Sequence, residues 1–268
     1  MRNINVPSES FLQNRQNCAK AIQELFWCMK EITEGESGDN EKIGQLQKEI
    51  YSLKQQVGNL GGDVTYECPD TATGKNFGTL MNNNGTVKLT EDVTASRMGP
   101  GILAKNKVTL NLNGHNLSIP VSGSLAAIQA RGTQEVTIKG AGTIDAGAGI
   151  CIMCNSKNAV INLTGSTTNY KTERPNAELI YCYLGTINIS GGIFRNGGSH
   201  YLLNCYDANY KNGTAQIIVT GGKFYDFDPG NNKAEGENTS FLAEGYISVP
   251  STVVEDGVDH TVYTVKKG

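Results

Sequence analysis

Leu110-Asn-Leu112-Asn-Gly114, Val136-Thr-Ile138-Lys-Gly140, Ile161-Asn-Leu163-Thr-Gly165, Ile187-Asn-Ile189-Ser-Gly191 and Ile217-Ile-Val219-Thr-Gly221 are five versions of one phrase. Val87-Lys-Leu89-Thr-Glu91 is a first copy without its glycine. Counted at their last residues, the copies lie 23, 26, 25, 26 and 30 residues apart. Each alternates aliphatic with polar residues, the period of a strand with one buried face, and a glycine then marks a bend. A recurrence of this length defines a repeat architecture.

A second motif keeps step with the first. Ile102-Leu-Ala104, Ile128-Gln-Ala130, Ile152-Met-Cys154, Ile180-Tyr-Cys182, Leu203-Asn-Cys205 and Phe241-Leu-Ala243 each place an apolar residue two before a small one. Two strands per turn of roughly 25 residues, one bringing a small side chain inward, suit coils stacked over a narrow core. The expected fold is mainly β: an N-terminal helix and short coiled coil, then a right-handed parallel β-helix (β-solenoid) of six or seven turns. The hand rests on the general chirality of parallel crossovers.

The 268 residues include 32 glycines and carry a formal charge of −3. Glycine so abundant fits a turn-rich solenoid. Lys and Arg are scattered, which gives no electrostatic footprint for nucleic acid or an anionic membrane. No apolar run is long enough to span a bilayer, and the first residues lack the apolar core of a signal peptide. Synthesis in a cytoplasm is expected.

Seven cysteines, an odd number without a secretory signal, argue against a disulfide framework. Cys151-Ile-Met-Cys154 resembles half a zinc site, yet residues three apart in a strand point to opposite faces. The repeat places Cys154, Cys182 and Cys205 in one inward column, as small hydrophobes. No metal and no cofactor are expected.

Residues 1–38 read as an anchor: an extended segment, then an amphipathic helix whose stripe includes Phe11, Ile22, Leu25, Met29 and Ile32, widened by Phe26 and Trp27. So large an apolar face needs a partner. Residues 39–62 carry three heptads, with Ile43, Ile50 and Val57 at a and Leu46, Leu53 and Leu60 at d. Glu49 and Lys54 are spaced for an interchain ion pair. β-branched a with Leu at d leans toward two strands. Residues 63–250 are assigned to the β-helix and 251–268 to a C-terminal cap, where Pro250, Asp256, Asp259, Lys266 and Lys267 would blunt an open sheet edge. Loops are expected at 164–175, 196–200, 207–213 and 228–238.

If Cys182 and Cys205 face inward, Tyr181, Tyr183 and Tyr206 face outward on adjacent coils. Such a ladder either stacks on sugars or buries against a neighbouring subunit, and the coiled coil favours the neighbour. The candidate catalytic acids are Asp145, Glu173, Asp207, Asp226 and Asp228. None forms an Asp–Asp pair at a matching register, and His115, His200 and His260 lack the spacing of a triad. Gly140-Ala-Gly142 and Gly191-Gly192 lead into strands, so they are not phosphate loops. A non-enzymatic role is expected.

The order of parts, together with Gly221-Gly-Lys-Phe-Tyr-Asp-Phe-Asp-Pro229 and Phe241-Leu-Ala-Glu-Gly-Tyr246, resembles phage appendage proteins. In particular it resembles the head fibres of crAss-like phages that infect gut Bacteroidales. The likeness covers residues 40–268 better than 1–39, and 221–246 is its most specific part. It implies a structural virion protein, made in the host bacterial cytoplasm and held on the capsid surface through its N-terminus by a major or auxiliary capsid protein. β-Helical fibres usually pack as threes, so a homotrimer is favoured over a homodimer. Host-surface or mucosal glycans are a further candidate partner, on an adhesin reading. A tailspike-like polysaccharide-degrading enzyme shares the scaffold, but its hydrolytic carboxylates are not found.

Overall fold

A computed structural model describes residues 65–68, 85–94, 102–104, 107–132, 135–173, 178–196 and 201–268. The anchor and coiled-coil assignments on residues 1–62 lie outside the described residues. Residues 87–268 fall in one compact unit, and it is a mainly β, parallel β-solenoid.

The recurring phrase forms one face of the coil. Strand β5 (Val108–Asn111) pairs in parallel with β7 (Glu135–Lys139), then come the last residues of β8 (Gly142–Leu163), those of β10 (Ile180–Ile189), and β13 (Ala215–Val219). Val108, Val136, Ile161, Ile187 and Ile217 lie one above another, as do Leu110, Ile138, Leu163, Ile189 and Val219. All ten side chains are buried. From Val108 to Ile217 the chain makes about four turns, fewer than the six or seven expected. The first phrase also sits two residues from its expected register, since Leu110 rather than Leu112 pairs with Ile138. Leu112 is buried like Leu110; a two-residue slip keeps the same face inward, so alternation cannot detect it.

The apolar–x–small motif forms a second face, in the expected register. Ala104, Ala130, Cys154, Cys182 and Cys205 are Cα partners in succession from β4 (Ile102–Ala104) through β6 (Leu117–Ala130), β8 and β10 to β12 (Leu203–Cys205). Ala243 is not the sixth member. The Val219 amide donates to Phe241 O at 2.8 Å and the Ala243 amide to Val219 O at 3.0 Å, which lays this segment over the phrase face. A three-residue pattern is too short to tell a coil strand from a closing bridge.

Cys151 also corrects the sequence reading. The amides of Cys151 and Ile152 both donate to Leu179 O, at 3.0 and 3.2 Å, so the strand bulges there. The extra residue turns Cys151 inward along with Cys154; both are fully buried, and the Cys151 thiol donates to Ile144 O at 3.6 Å.

A third face was not anticipated. Val93 in β3 (Val93–Thr94), Leu117 in β6, Ile144 in β8, Tyr170 in β9 (Thr168–Thr172), Phe194 in β11 (Ile193–Asn196) and Phe224 in β14 (Gly222–Tyr225) form its inward column. Strand β9 occupies part of the expected loop 164–175. The three aromatic rings stack nearly parallel, with centroids 4.9 and 4.7 Å apart. They require the glycine that follows the phrase's own: a Cβ at Gly192 (φ 121) would lie 2.7 Å from the Phe194 ring and 2.9 Å from that of Tyr170. Thus the Gly-Gly pair makes room for the aromatic column.

The Tyr170 hydroxyl is buried without a partner, while the Thr168 hydroxyl donates to Gly140 O instead. Tyr170→Phe removes the unpaired group and keeps the ring. It should raise stability by about 1 kcal/mol, read as a higher denaturant midpoint; a fall would show that the hydroxyl is satisfied.

An antiparallel hairpin, β15 (Tyr246–Glu255) and β16 (Val258–Lys267), closes this face, with β16 against β14 so that Tyr263 pairs with Phe224. Asp256 (φ 51) and Gly257 (φ 78) make its two-residue turn. The hairpin thus begins at Tyr246, within the span assigned by sequence to the solenoid. It is pinned by Arg195, which makes a two-pronged ion pair with Glu255 and lies 3.7 Å from the centroid of the Tyr225 ring. The Tyr225 hydroxyl also donates to Glu255, at 3.0 Å.

Candidate functional site

With the interior filled by stacked side chains, function falls to the outer sides of the three faces. On the phrase face, Asn188 Nδ2 donates to Asn162 Oδ1 at 2.9 Å and Asn162 Nδ2 to Glu135 at 2.7 Å. This ladder joins three coils. The outer side of the third face is also polar. Asp92 accepts from Asn116, Lys171 meets Asp145 at 3.2 Å and Glu173 at 3.9 Å, and Arg195 meets Glu255. Asp226 is bound to His260 at 2.7 Å, and Asp228 accepts from Ser248 and the Gly230 amide. Of the candidate acids, Asp145, Asp226 and Asp228 are therefore engaged in contacts that fasten coil to coil or hairpin to coil, and Glu173 meets Lys171 of its own coil.

The outer side of the small-residue face differs. Ala126, Ile150 and Met153 cluster with Tyr181 packed against them. Tyr183, two residues beyond Tyr181 in the same strand, and Tyr206 of the next coil are 39% and 41% exposed and stack on each other, with centroids 4.8 Å apart and planes at 28°. The structure thus brings Tyr181, Tyr183 and Tyr206 together on one outer surface. Tyr206 precedes helix α1 (Asp207–Lys211) in the expected loop 207–213, and Asn209 holds the coil below by donating to Tyr183 O at 2.6 Å. Burial, followed by the nearby Glu178 charge, pushes the Tyr181 hydroxyl up to about 12.

Beside these rings lies a group that sequence reasoning missed. Asn204 Nδ2 donates to Glu178 at 3.2 Å, and Glu235 accepts the Cys205 amide at 2.5 Å. Asn204 Oδ1 and Glu235 Oε2 are left buried without a hydrogen-bond partner. Glu235 occupies the place of a next-coil carbonyl and so plugs the end of the small-residue face. Its sealed Oε2 is out of reach of an external molecule. No repeat marks Glu235; the only sequence signal is a carboxylate in the loop 228–238.

Burial holds the Glu235 carboxyl above its ordinary value of 4.5, against the opposing effect of the Cys205 amide. A group raised on folding contributes stability below its unfolded pKa and loses it as pH rises through the folded one. Glu235→Gln should therefore flatten the fall in melting temperature from acidic to neutral pH, and an unchanged slope would count against this assignment.

The thiols are poor candidates for chemistry. Burial pushes Cys151 far up, and Cys154 is pushed far up by its hydrogen bond with the Cys182 thiol and then by burial; the thiolate needed for nucleophilic attack is disfavoured. Among the described residues there is no cluster of His, Cys, Asp or Glu able to hold a metal ion, and no helix long and apolar enough to cross a membrane.

Fold and surface together define a parallel β-solenoid whose exposed tyrosine pair lies on the outer side of the small-residue face. The chain matches no protein-family model, no curated protein and no solved structure.

Proposed function

We propose that this chain is a structural fibre of a bacteriophage head, attached to a capsid protein through its N-terminal segment and projecting an oligomeric β-solenoid from the capsid surface. The observation that carries this reading is a continuous interior stack closed by a hairpin. Coils locked in register along three inward columns make a stiff rod, and the cap stops its terminal strand from recruiting another. Its outward ion pairs and amide ladders join neighbouring coils. They are suited to mechanical and proteolytic resistance.

In this reading Phe11, Ile22, Leu25, Phe26 and Trp27 dock on the shell, and the heptads from Ile43 to Leu60 hold the copies together. A chain lacking residues 1–35 should fold and oligomerise yet fail to decorate capsids. Decoration that survives the deletion overturns the anchor. A glycan-binding adhesin on the same scaffold is a second reading, favoured by exposed Tyr183 and Tyr206.

A further inference from the structure

We infer that the outer side of the small-residue face, centred on Tyr181, Tyr183 and Tyr206, is the surface on which a second copy of this chain packs. The inference deepens the fibre reading and rests on its claim that the chain self-associates.

The three outer sides are chemically unequal. Two are covered by hydrogen-bonded or charged side chains whose partners lie on adjacent coils: Glu135, Asn162 and Asn188 on one, Asp145, Lys171, Arg195 and Glu255 on the other. The third presents the stacked, exposed rings of Tyr183 and Tyr206, with Tyr181 half-buried against Met153 beside them. Methionine and tyrosine are enriched at protein–protein contacts, where charged side chains are depleted. An isolated rod would gain nothing from concentrating its outward aromatics on one side. A rod among parallel copies would, because that side turns inward.

Two observations select a second copy over a sugar. The sequence outside the solenoid supplies three heptads with an a/d seam, a device for joining identical chains. The rings of Tyr183 and Tyr206 lie on each other, so each already uses one aromatic face. A pyranose stacks on a free face. The stacked pair keeps at most one free face per ring, and an apolar ring with a polar tip suits packing against a neighbouring protein surface.

The test uses the full-length chain with a photo-activated cross-linking residue, p-benzoylphenylalanine, at one exposed position at a time. Ala208 lies beside Tyr206, whereas Lys139 and Lys223 lie on the other two outer sides. Light scattering first gives the mass. A mass above one chain, with covalent multimers forming on illumination from position 208 and not from 139 or 223, is the expected result. An oligomer that cross-links from 139 or 223 but not from 208 overturns the assignment of the surface and leaves the oligomeric fibre standing. A monomeric mass overturns both. Failure at 208 in an oligomer that a neutral-glycan column retains, and that Tyr183→Ala releases, also overturns it and gives the rings to a sugar.

Discussion

Replacing Phe194 by alanine should lower the stability of the solenoid by about 4 kcal/mol. Phe194 is fully buried between Tyr170 and Phe224, its ring nearly parallel to both. Truncation deletes a large apolar side chain and breaks two stacking contacts at once. The hole cannot easily close, because strand β11 is hydrogen-bonded to β9 on one side and β14 on the other, which fixes the coil spacing. The cost therefore sits at the upper end for a core truncation, as it does wherever the surroundings relax poorly. Phe194→Leu keeps much of the volume and should cost about 1 kcal/mol. Denaturant unfolding followed by circular dichroism gives both values. A loss below about 1 kcal/mol for the alanine variant would mean that the stack collapses around the gap and contributes little as an ordered column.

What the sequence made legible, and what it hid, follows from which positions carry a constant chemical demand. The phrase face repeats aliphatic residues at period two, and the second face repeats a small residue that lets coils approach. Both demands recur in every turn, so Ala130, Cys154, Cys182 and Cys205 could be aligned by eye and Tyr181, Tyr183 and Tyr206 placed outside. The third face makes no such constant demand. Its inward column runs from Val93 through Leu117 and Ile144 to Tyr170, Phe194 and Phe224, and part of it lies in a polar stretch that reads as loop. The bulge at Cys151–Ile152 breaks period two locally, so alternation alone does not give the inward turn of Cys151. Glu235 was invisible for a different reason: it substitutes for a coil that does not exist, so no repeat predicts it.

The corner between the second and first faces offers the sharpest check on how tightly the coils are stacked. Gly185 sits there within β10 at φ 105, its amide donating to Thr214 O at 2.8 Å and its carbonyl accepting the Cys182 thiol at 3.3 Å. A Cβ at this position would collide with the Ser156 carbonyl and lie 2.7 Å from Ala159 O and 2.8 Å from the Cys154 sulfur. Two of these neighbours are backbone of the coil below, so no rotamer change relieves them. Gly185→Ala should cost roughly 3–5 kcal/mol, combining an unfavourable φ with overpacking against fixed atoms. Gly213 supplies the control: its φ is also positive, at 74, but nothing lies within 4 Å of its Cβ position. Gly213→Ala should cost only about 1 kcal/mol. The difference between the two variants measures the contact between coils with the backbone term largely removed. Equal losses would show that the coil at Gly185 has slack, and that the glycine is required by φ alone. A large difference places the constraint in the stacking itself, with the backbone of one coil packed directly against the next.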